Sequence, residues 1–410
     1  MPRSHWILLL PITLMLVLGP GCGQYSQMRV QQLRQESDAL ARQGQLDPAI
    51  DKLERAETLM QSVRQPDSTS LIMVHGTLGS LYRRTGRTSD AKRELELAAE
   101  AMRSSSTPPT ATDGLYDAWI LLYLVNIYSD ECDLVNLVQT CDLAAARMAP
   151  LGLDETTAQY TVLLANGYER AGKVADAERQ YTLALGYYAA PSSDRYGQVY
   201  TELAIARLDD KLGRADDGES HRQAAKTILD AHPAPVGEWA YFGLYGWADY
   251  LAEHDNYRGA LDALDLASTA SEQSAGINDE HRAYLRLFQA MLHLSLGETP
   301  EAKNLITEAD RYVSQLPEPP PALTGYAQLV NARLAIAEGD VKSANQHRDS
   351  AVASMNQLPC GDDVDYGASL RLLADGYREA GALAEAEALE SQADELAKRG
   401  LEAGGAEAAE

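Results

Sequence analysis

The sequence is poor in the residues that build β-sheets. Phenylalanine occurs only twice in 410 residues, and stretches in which Val, Ile or Thr alternate with polar residues are scarce. Strands are enriched in such residues, whereas alanine, which is abundant here, has the highest helix propensity. The composition therefore predicts an all-α protein.

Clusters of basic residues are also missing. The chain carries 60 acidic and 35 basic side chains, a formal net charge of −25, and no run of Lys and Arg interrupts the acidic excess. Nucleic acids and anionic lipid surfaces both attract proteins through basic patches. We therefore expect no nucleic-acid partner and no electrostatic attachment to a membrane.

Residue patterns that carry chemistry are absent as well. The eight histidines are scattered, with no pair four residues apart and none beside a pair of cysteines. The stretch HGTLGS at 75–80 lacks the lysine of a phosphate-binding loop, and the acidic stretches at 129–133 and 361–365 lack the ligand set of a calcium loop. We expect no metal ion and no cofactor. We also expect no enzymatic activity, with an enzyme kept as the third hypothesis for function.

Cysteine is scarce, with four in the chain. Cys132 and Cys141 are nine residues apart, and along one helix this separation is about 13 Å, too far for a disulfide. Cys141 is predicted to be a structural free thiol. Cys360, in the loop LPCGDDVD, is predicted to be exposed.

The N-terminal residues differ from the rest of the chain. A basic start at Arg3 precedes an apolar run from Trp6 to Leu18, and small residues follow before Cys22. A helix of this length spans about 20 Å, short of the roughly 30 Å of a bilayer core. The segment therefore predicts an export signal over residues 1–21.

The end of this segment, LGPGC, resembles the lipobox of bacterial lipoproteins. That resemblance implies that the signal is removed and Cys22 is lipidated, although Gly19 stands where the family usually has leucine. Gly23 after the cysteine implies the outer membrane, so we expect an exported lipoprotein of the bacterial cell envelope, on the periplasmic face of the outer membrane and attached through its lipid anchor only. An ordinary cleaved signal and an uncleaved short anchor remain as alternatives.

A pattern of small residues recurs along the remainder of the chain. An alanine stands twelve residues after each predicted turn. The residue five after the turn and the residue seven before it are each small in all copies but one. The two exceptions, Leu137 and Val125, belong to the same copy. Small residues at paired positions let two helices cross closely, so the pattern predicts helical hairpins. The predicted turn positions are Gly44, Gly86, Cys132, Gly172, Gly213, Asp255, Gly297, Gly339 and Gly381.

This pattern resembles the tetratricopeptide repeat (TPR) family. In ANGYERAGKVADAERQYTLAL the matching residues are Ala165, Tyr168, Gly172, Ala177, Tyr181 and Ala184. The most frequent interval, 42 residues, resembles the long repeats of kinesin light chains. The resemblance implies a right-handed α-solenoid, or superhelix, of about nine helix-turn-helix repeats.

The domain prediction follows from these segments. Residues 22–28 are assigned to a short tether after the lipidated cysteine, 29–400 to the repeats and 401–410 to an acidic disordered tail. The leading hypothesis is a lipid-anchored scaffold that binds a protein or peptide in a concave groove. A glycan-binding TPR lipoprotein for polysaccharide assembly or export is the alternative.

An aromatic stripe on the first helices is the predicted partner-binding groove. Thirteen residues before the turn, aromatic residues occupy five of six consecutive repeats, and offsets of three and seven residues extend the same helical face. In the family this face lines the groove, but aromatic residues at helical spacing also pack one repeat against the next, and both interpretations stay open. The predicted groove residues are Trp119, Asn126, Asn166, Tyr200, Arg207, Phe242, Tyr245, Tyr284, Tyr326 and Arg333.

Overall fold

The computed structural model describes residues 21–61, 67–105, 110–131, 133–190, 193–232, 235, 237–274, 276–355 and 363–405. The predicted signal peptide lies outside this range except for its last residue. Cys132, Cys360 and the side chain of Cys22 lie outside it too. Among the described residues all regular structure is helical, which confirms the all-α solenoid class.

The chain divides into two compact units, 1–108 and 109–410. The first contains α1 (Gly21–Arg42), α2 (Leu46–Gln61), α3 (Ser68–Arg84) and α4 (Thr88–Ser104). The second contains α5 (Ala111–Asp130), α6 (Leu134–Met148), α7 (Glu155–Arg170), α8 (Val174–Tyr188), α9 (Arg195–Lys211), α10 (Ala215–Ala231), α11 (Glu238–Glu253), α12 (Tyr257–Glu272), α13 (Asp279–Ser295), α14 (Thr299–Val313), α15 (Pro321–Ala337), α16 (Val341–Met355), α17 (Asp363–Glu379) and α18 (Leu383–Gly405).

Each odd-numbered helix pairs with the even-numbered helix that follows it, and within each unit the hairpins also contact their neighbours in sequence. The turns lie where the small-residue pattern placed them. Gly44, Gly86, Gly172, Gly213, Asp255, Gly297, Gly339 and Gly381 all have positive φ angles, between 58° and 81°. Glycine adopts this left-handed conformation without strain, which explains its dominance at these positions.

The small residues form the helix crossings. The alanine twelve residues after each turn has no exposed surface in any of the nine repeats: Ala56, Ala98, Ala144, Ala184, Ala225, Ala267, Ala309, Ala351 and Ala393. The positions five after and seven before the turn are buried too, including the larger Leu137 and Val125. A β-carbon added to Gly167 of α7 would lie 2.5 Å from Val125 Cγ1 and 2.8 Å from Cys141 Sγ. Glycine in the next repeat therefore makes room for the bulkier third repeat.

Buried tyrosines join one repeat to the next. The hydroxyl of Tyr168, four residues before its turn, donates a hydrogen bond of 2.9 Å to Asp142 on the second helix of the preceding repeat. Tyr377 makes the equivalent link to Asn345 at 2.7 Å. Because each tyrosine ring is buried while its hydroxyl is satisfied, one residue supplies both apolar area and a directional contact.

The helices at the two chain ends extend past the predicted boundaries. Helix α1 begins at Gly21 and includes residues 22–28, which the sequence assigned to a tether, and α18 continues to Gly405, into the predicted tail. Residues 406–410 lie outside the described range. Among the described residues, no helix combines the length and the apolar character needed to cross a membrane.

Candidate functional site

The predicted groove residues all belong to the second unit. Their side chains are half-buried, with two exceptions: Arg207 is exposed and Arg333 is only 3% exposed. Trp119 packs between Tyr116 and Tyr123 of its own helix, with ring centroids 5.4 and 5.0 Å away, and Asn126 lies two turns further along α5. The stripe is therefore neither fully in the core nor fully in solvent.

Aromatic contacts connect the stripe across repeats. The Tyr200 ring lies 6.2 Å from Phe242, and the Tyr245 ring lies 5.4 Å from Phe288 on the next first helix. Tyr284 and Tyr326 stack with centroids 6.1 Å apart and an interplanar angle of 28°. These separations are typical of favourable aromatic pairs. The rings thus pack repeat against repeat while part of each remains accessible.

A polar network follows the stripe where α7, α8 and α9 meet. Asn166 donates to the Tyr200 hydroxyl at 2.8 Å and accepts from the Tyr181 hydroxyl at 2.5 Å. The same Tyr181 hydroxyl lies 2.8 Å from Glu169. Asn166, Tyr181 and Tyr200 are therefore fixed by one another.

Glu169 is the charged centre of this network. Its side chain is 4% exposed, and its two oxygens accept from Arg207 at 3.0 and 3.2 Å and from Lys211 at 2.7 Å. Burial by itself raises the pKa of this carboxyl, but Arg207 and Lys211 outweigh it and lower the pKa to about 2. Arg207, expected from the sequence to offer its charge to a ligand, thus already pairs with Glu169.

Arg333 borders a cavity of about 330 Å³ near the C-terminal end of the second unit. Its guanidinium donates to Glu379 at 2.8 Å, and its Nε is buried without a hydrogen-bond partner. A β-carbon at Gly376 would collide with the guanidinium, so this glycine admits the arginine. The cavity, named here the C-terminal cavity, is lined by Tyr257, Ser295, Arg333, Asp375, Arg378 and Glu379.

Four successive repeats contribute to the C-terminal cavity. Its lining residues come from α12, α13, α15 and α17, and α13 contacts α17 although they lie two repeats apart. In a solenoid each repeat normally contacts only its neighbours. First helices two repeats apart therefore meet here, and both contribute residues to the cavity.

The sequence analysis missed most of this cavity. Arg333 and Asp375 stand six residues before their turns, at the register of the predicted groove, but only Arg333 was among the predicted residues. Glu379 and Arg378 lie one helical turn further on, and Arg378 pairs with Asp375 and Glu390. Extending the stripe by one turn along each first helix would have found them.

Cys141, predicted to be a structural free thiol, is a free and fully buried cysteine. Burial raises its pKa to about 12, so the reactive thiolate is suppressed at neutral pH. The packing prediction for Cys141 is confirmed.

Comparison with known proteins identifies solved structures with a similar fold. No family model and no curated protein matches the chain. A Rap protein in complex with competence and sporulation factor superposes with a TM-score of 0.57 and 13% identity, covering 91% of this chain and 99% of that one.

Two further structures are similar. Aspartyl phosphate phosphatase F from Bacillus subtilis has a TM-score of 0.51 and 13% identity, over 92% of this chain and 95% of that one. The Rap conjugation gene regulator of a plasmid, in complex with a peptide, has a TM-score of 0.51 and 12% identity, over 91% and 96%. At such low identity the likeness concerns fold alone: this chain has the all-α architecture of TPR-like repeat proteins.

Proposed function

We propose that this protein is an exported, lipid-anchored TPR scaffold that binds a protein or peptide along the inner side of its second unit. The observation that carries the proposal is the C-terminal cavity. It combines the buried Arg333 with three exposed charges of both signs, Asp375, Arg378 and Glu379, and the buried Arg333 Nε lacks a hydrogen-bond partner. An extended peptide offers backbone carbonyls and side chains of both charges, which such a lining can bind.

The similar folds support a peptide or protein partner. Two of the three structures compared above are complexes, one with competence and sporulation factor and one with a peptide. Attachment through Cys22 and the outer-membrane location rest on the N-terminal sequence. The long, 42-residue variety of repeat, similar to kinesin light chains, is likewise our inference from the sequence.

The test is to fill the cavity. Ser295 lines it and is half-buried, so Ser295→Trp should obstruct the site without removing any of its charges. Pull-downs from envelope membranes should lose the specific partner with this variant. They should retain it with Leu183→Trp, which alters an exposed side chain on α8.

Unchanged capture by a Ser295→Trp protein that melts as the parent would contradict the proposal. If the molecule captured in a cavity-dependent manner is a polysaccharide, the glycan alternative replaces the peptide scaffold. The non-enzyme prediction is tested separately, with a panel of hydrolase substrates.

A further inference from the structure

Three consecutive helices of the first unit bring together a histidine and two glutamates. Glu57 of α2, His75 of α3 and Glu94 of α4 each place one ligand atom within 4.8 Å of the other two. His75 is 7% exposed and Glu94 is 1% exposed, while Glu57 is half-buried at the edge of the cluster. Each is therefore held by the packing of a different helix.

The charges of this cluster are only partly balanced. His75 Nδ1 lies 2.7 Å from Glu94 Oε2, and Arg93 donates to the other oxygen, Oε1, at 2.9 and 3.1 Å. Glu57 accepts one long hydrogen bond, of 3.4 Å, from Gln61. The cluster brings the Glu57 and Glu94 carboxylates close together, with one oxygen of each within 4.8 Å of the other. A cation placed among the three ligand atoms would relieve the repulsion between the two carboxylates.

Other hairpins show which part of the cluster is ordinary packing. His221 Nδ1 lies 2.6 Å from Glu202 Oε2, and His347 Nδ1 lies 2.7 Å from Gln328 Oε1. In all three hairpins the pair occupies the positions eleven before and eight after the turn, with the histidine on the first helix in the first unit and on the second helix in the other two. The pair alone is thus a recurring link between the two helices of a hairpin. Only the first unit combines an acidic partner of the histidine with an acid at the register position of Glu57. That position is Leu185 before the His221 hairpin, and before the His347 hairpin it is Asp310, but there the partner of the histidine is the amide Gln328.

We propose that Glu57, His75 and Glu94 bind a divalent transition-metal cation of the Zn²⁺ class. Imidazole nitrogen and carboxylate oxygen are the donors that Zn²⁺ takes alongside thiolate, and three protein ligands leave a fourth position for water. Arg93 orients Glu94 as an outer partner of the metal ligand. The bound ion would join α2 to α3 and α4, which links the first repeat to the second. This site is independent of the partner-binding proposal.

The experiment is calorimetric titration of the full, untagged, chelator-treated chain with ZnCl₂, combined with thermal melts. We expect a site of one equivalent and a melting temperature that rises with Zn²⁺. Mg²⁺ should give neither effect, because it binds oxygen ligands and disfavours imidazole. Co²⁺ bound in place of Zn²⁺ should show visible absorption bands characteristic of a four-coordinate site.

Two variants and one matched control test the ligand assignment. Glu57→Gln keeps the shape of a half-buried side chain and should weaken Zn²⁺ binding at least about tenfold, as should His75→Gln. His221→Gln, in the hairpin whose equivalent third position is Leu185, should bind Zn²⁺ as the parent does. Absence of the one-equivalent site, or its survival in Glu57→Gln, would overturn the proposal. If His75→Gln does not fold, Glu57→Gln decides alone.

Discussion

Glu169 is a carboxylate whose pKa burial alone would raise. It is ionised because Arg207 and Lys211, each from α9 of the next repeat, place their positive charges on its two oxygens. Both cations remain partly exposed, with 47% and 39% of their side-chain surface accessible, whereas Glu169 is 4% exposed. The buried acid is thus neutralised by partners that stay in contact with water, which limits the desolvation cost of the cluster.

We predict that Glu169→Gln lowers the free energy of unfolding at pH 7 by about 1–3 kcal/mol, because a charge-assisted network is replaced by a neutral side chain. The folded-state pKa of Glu169, about 2, lies below its unfolded value of roughly 4.3, so its contribution is present above the unfolded pKa. It is lost as the pH falls toward 2. The difference in the free energy of unfolding between parent and variant, measured by denaturant titration, should therefore shrink over this acidic range.

The control is Glu178→Gln, which removes an exposed ion pair with Arg214 between the same two repeats. An exposed pair contributes about 0–1 kcal/mol. Equal effects of the two substitutions, or a Glu169→Gln effect that does not depend on pH, would show that the network is not the source of the stability.

Substitution of Tyr284 and Tyr326 tests whether the aromatic stripe binds a partner. Both are half-buried and stack on each other across two repeats. We predict that Tyr284→Ala or Tyr326→Ala abolishes partner capture. Each substitution should lower the free energy of unfolding by about 0.5–1.5 kcal/mol through loss of the ring pair, and by a further part through loss of the buried area of a half-buried ring. Tyr377→Ala, which removes a fully buried ring, should destabilise far more. A loss of stability as large as that of Tyr377→Ala would assign the pair to the core.

At the scale of the helix, the turns set the length of each hairpin. In each turn, the residue with the left-handed backbone conformation ends the first helix and starts the connection to the second. Eight of the nine predicted turn residues show this conformation, and the ninth, Cys132, lies outside the described residues. Asp255, with a φ of 58°, is the turn residue that adopts it with a side chain, and it accepts a hydrogen bond of 2.9 Å from Tyr257.

We predict that Gly297→Ala destabilises the protein by about 1–2 kcal/mol. The added methyl group meets nothing within 4 Å, so the cost comes only from the positive φ of 76°. Gly186→Ala is the matched control, since it also has open space but lies inside α8, where alanine should stabilise by about 0.5–1 kcal/mol. Effects of opposite sign in thermal melts are expected. The same sign for both would contradict the assigned turn.

The helix crossings give a second prediction at this scale. Ala351→Leu, at a crossing with no exposed surface, should cost about 1–3 kcal/mol because the added atoms have no space. Ala353→Leu lies two residues later on α16, at an exposed position, and should have little effect. Chemical denaturation measures both differences. Equal stability of the two variants would mean that the small-residue register is wrong.

The sequence predicted the repeats far better than the site, for a physical reason. Turns and crossings depend on residues within one hairpin, so Gly297 and Ala351 can be recognised by their spacing. The charged clusters depend on contacts between different hairpins. Glu169 bonds Arg207, 38 residues away, and Glu57, His75 and Glu94 come from three helices. The His75–Glu94 pair lies within one hairpin, but nothing in the local pattern relates Glu57 to this pair or Glu169 to Arg207 without the packing of neighbouring repeats.

At the scale of the whole molecule, the proposed anchor precedes the first unit in the chain and the proposed binding cavity belongs to the second. The C-terminal cavity lies in the second unit, and helix α1 already begins at Gly21, next to the proposed lipid attachment at Cys22. A tether of at most a few residues would keep the first repeat close to the membrane surface, since extended chain spans about 3.5 Å per residue. A partner bound at the cavity would be held at the membrane through the intervening repeats.

We predict that Cys22→Ser releases the protein from envelope membranes or leaves the signal segment uncleaved, because serine offers no thiol for lipid attachment. Acyl chains hold a protein on the bilayer surface without crossing it. Membrane fractionation and mass spectrometry of the intact chain measure attachment and processing together. Cys360→Ser is the control and should fractionate and be processed as the parent. A Cys22→Ser protein that is cleaved and remains membrane-bound like the parent would exclude lipidation at Cys22 and favour attachment through a partner.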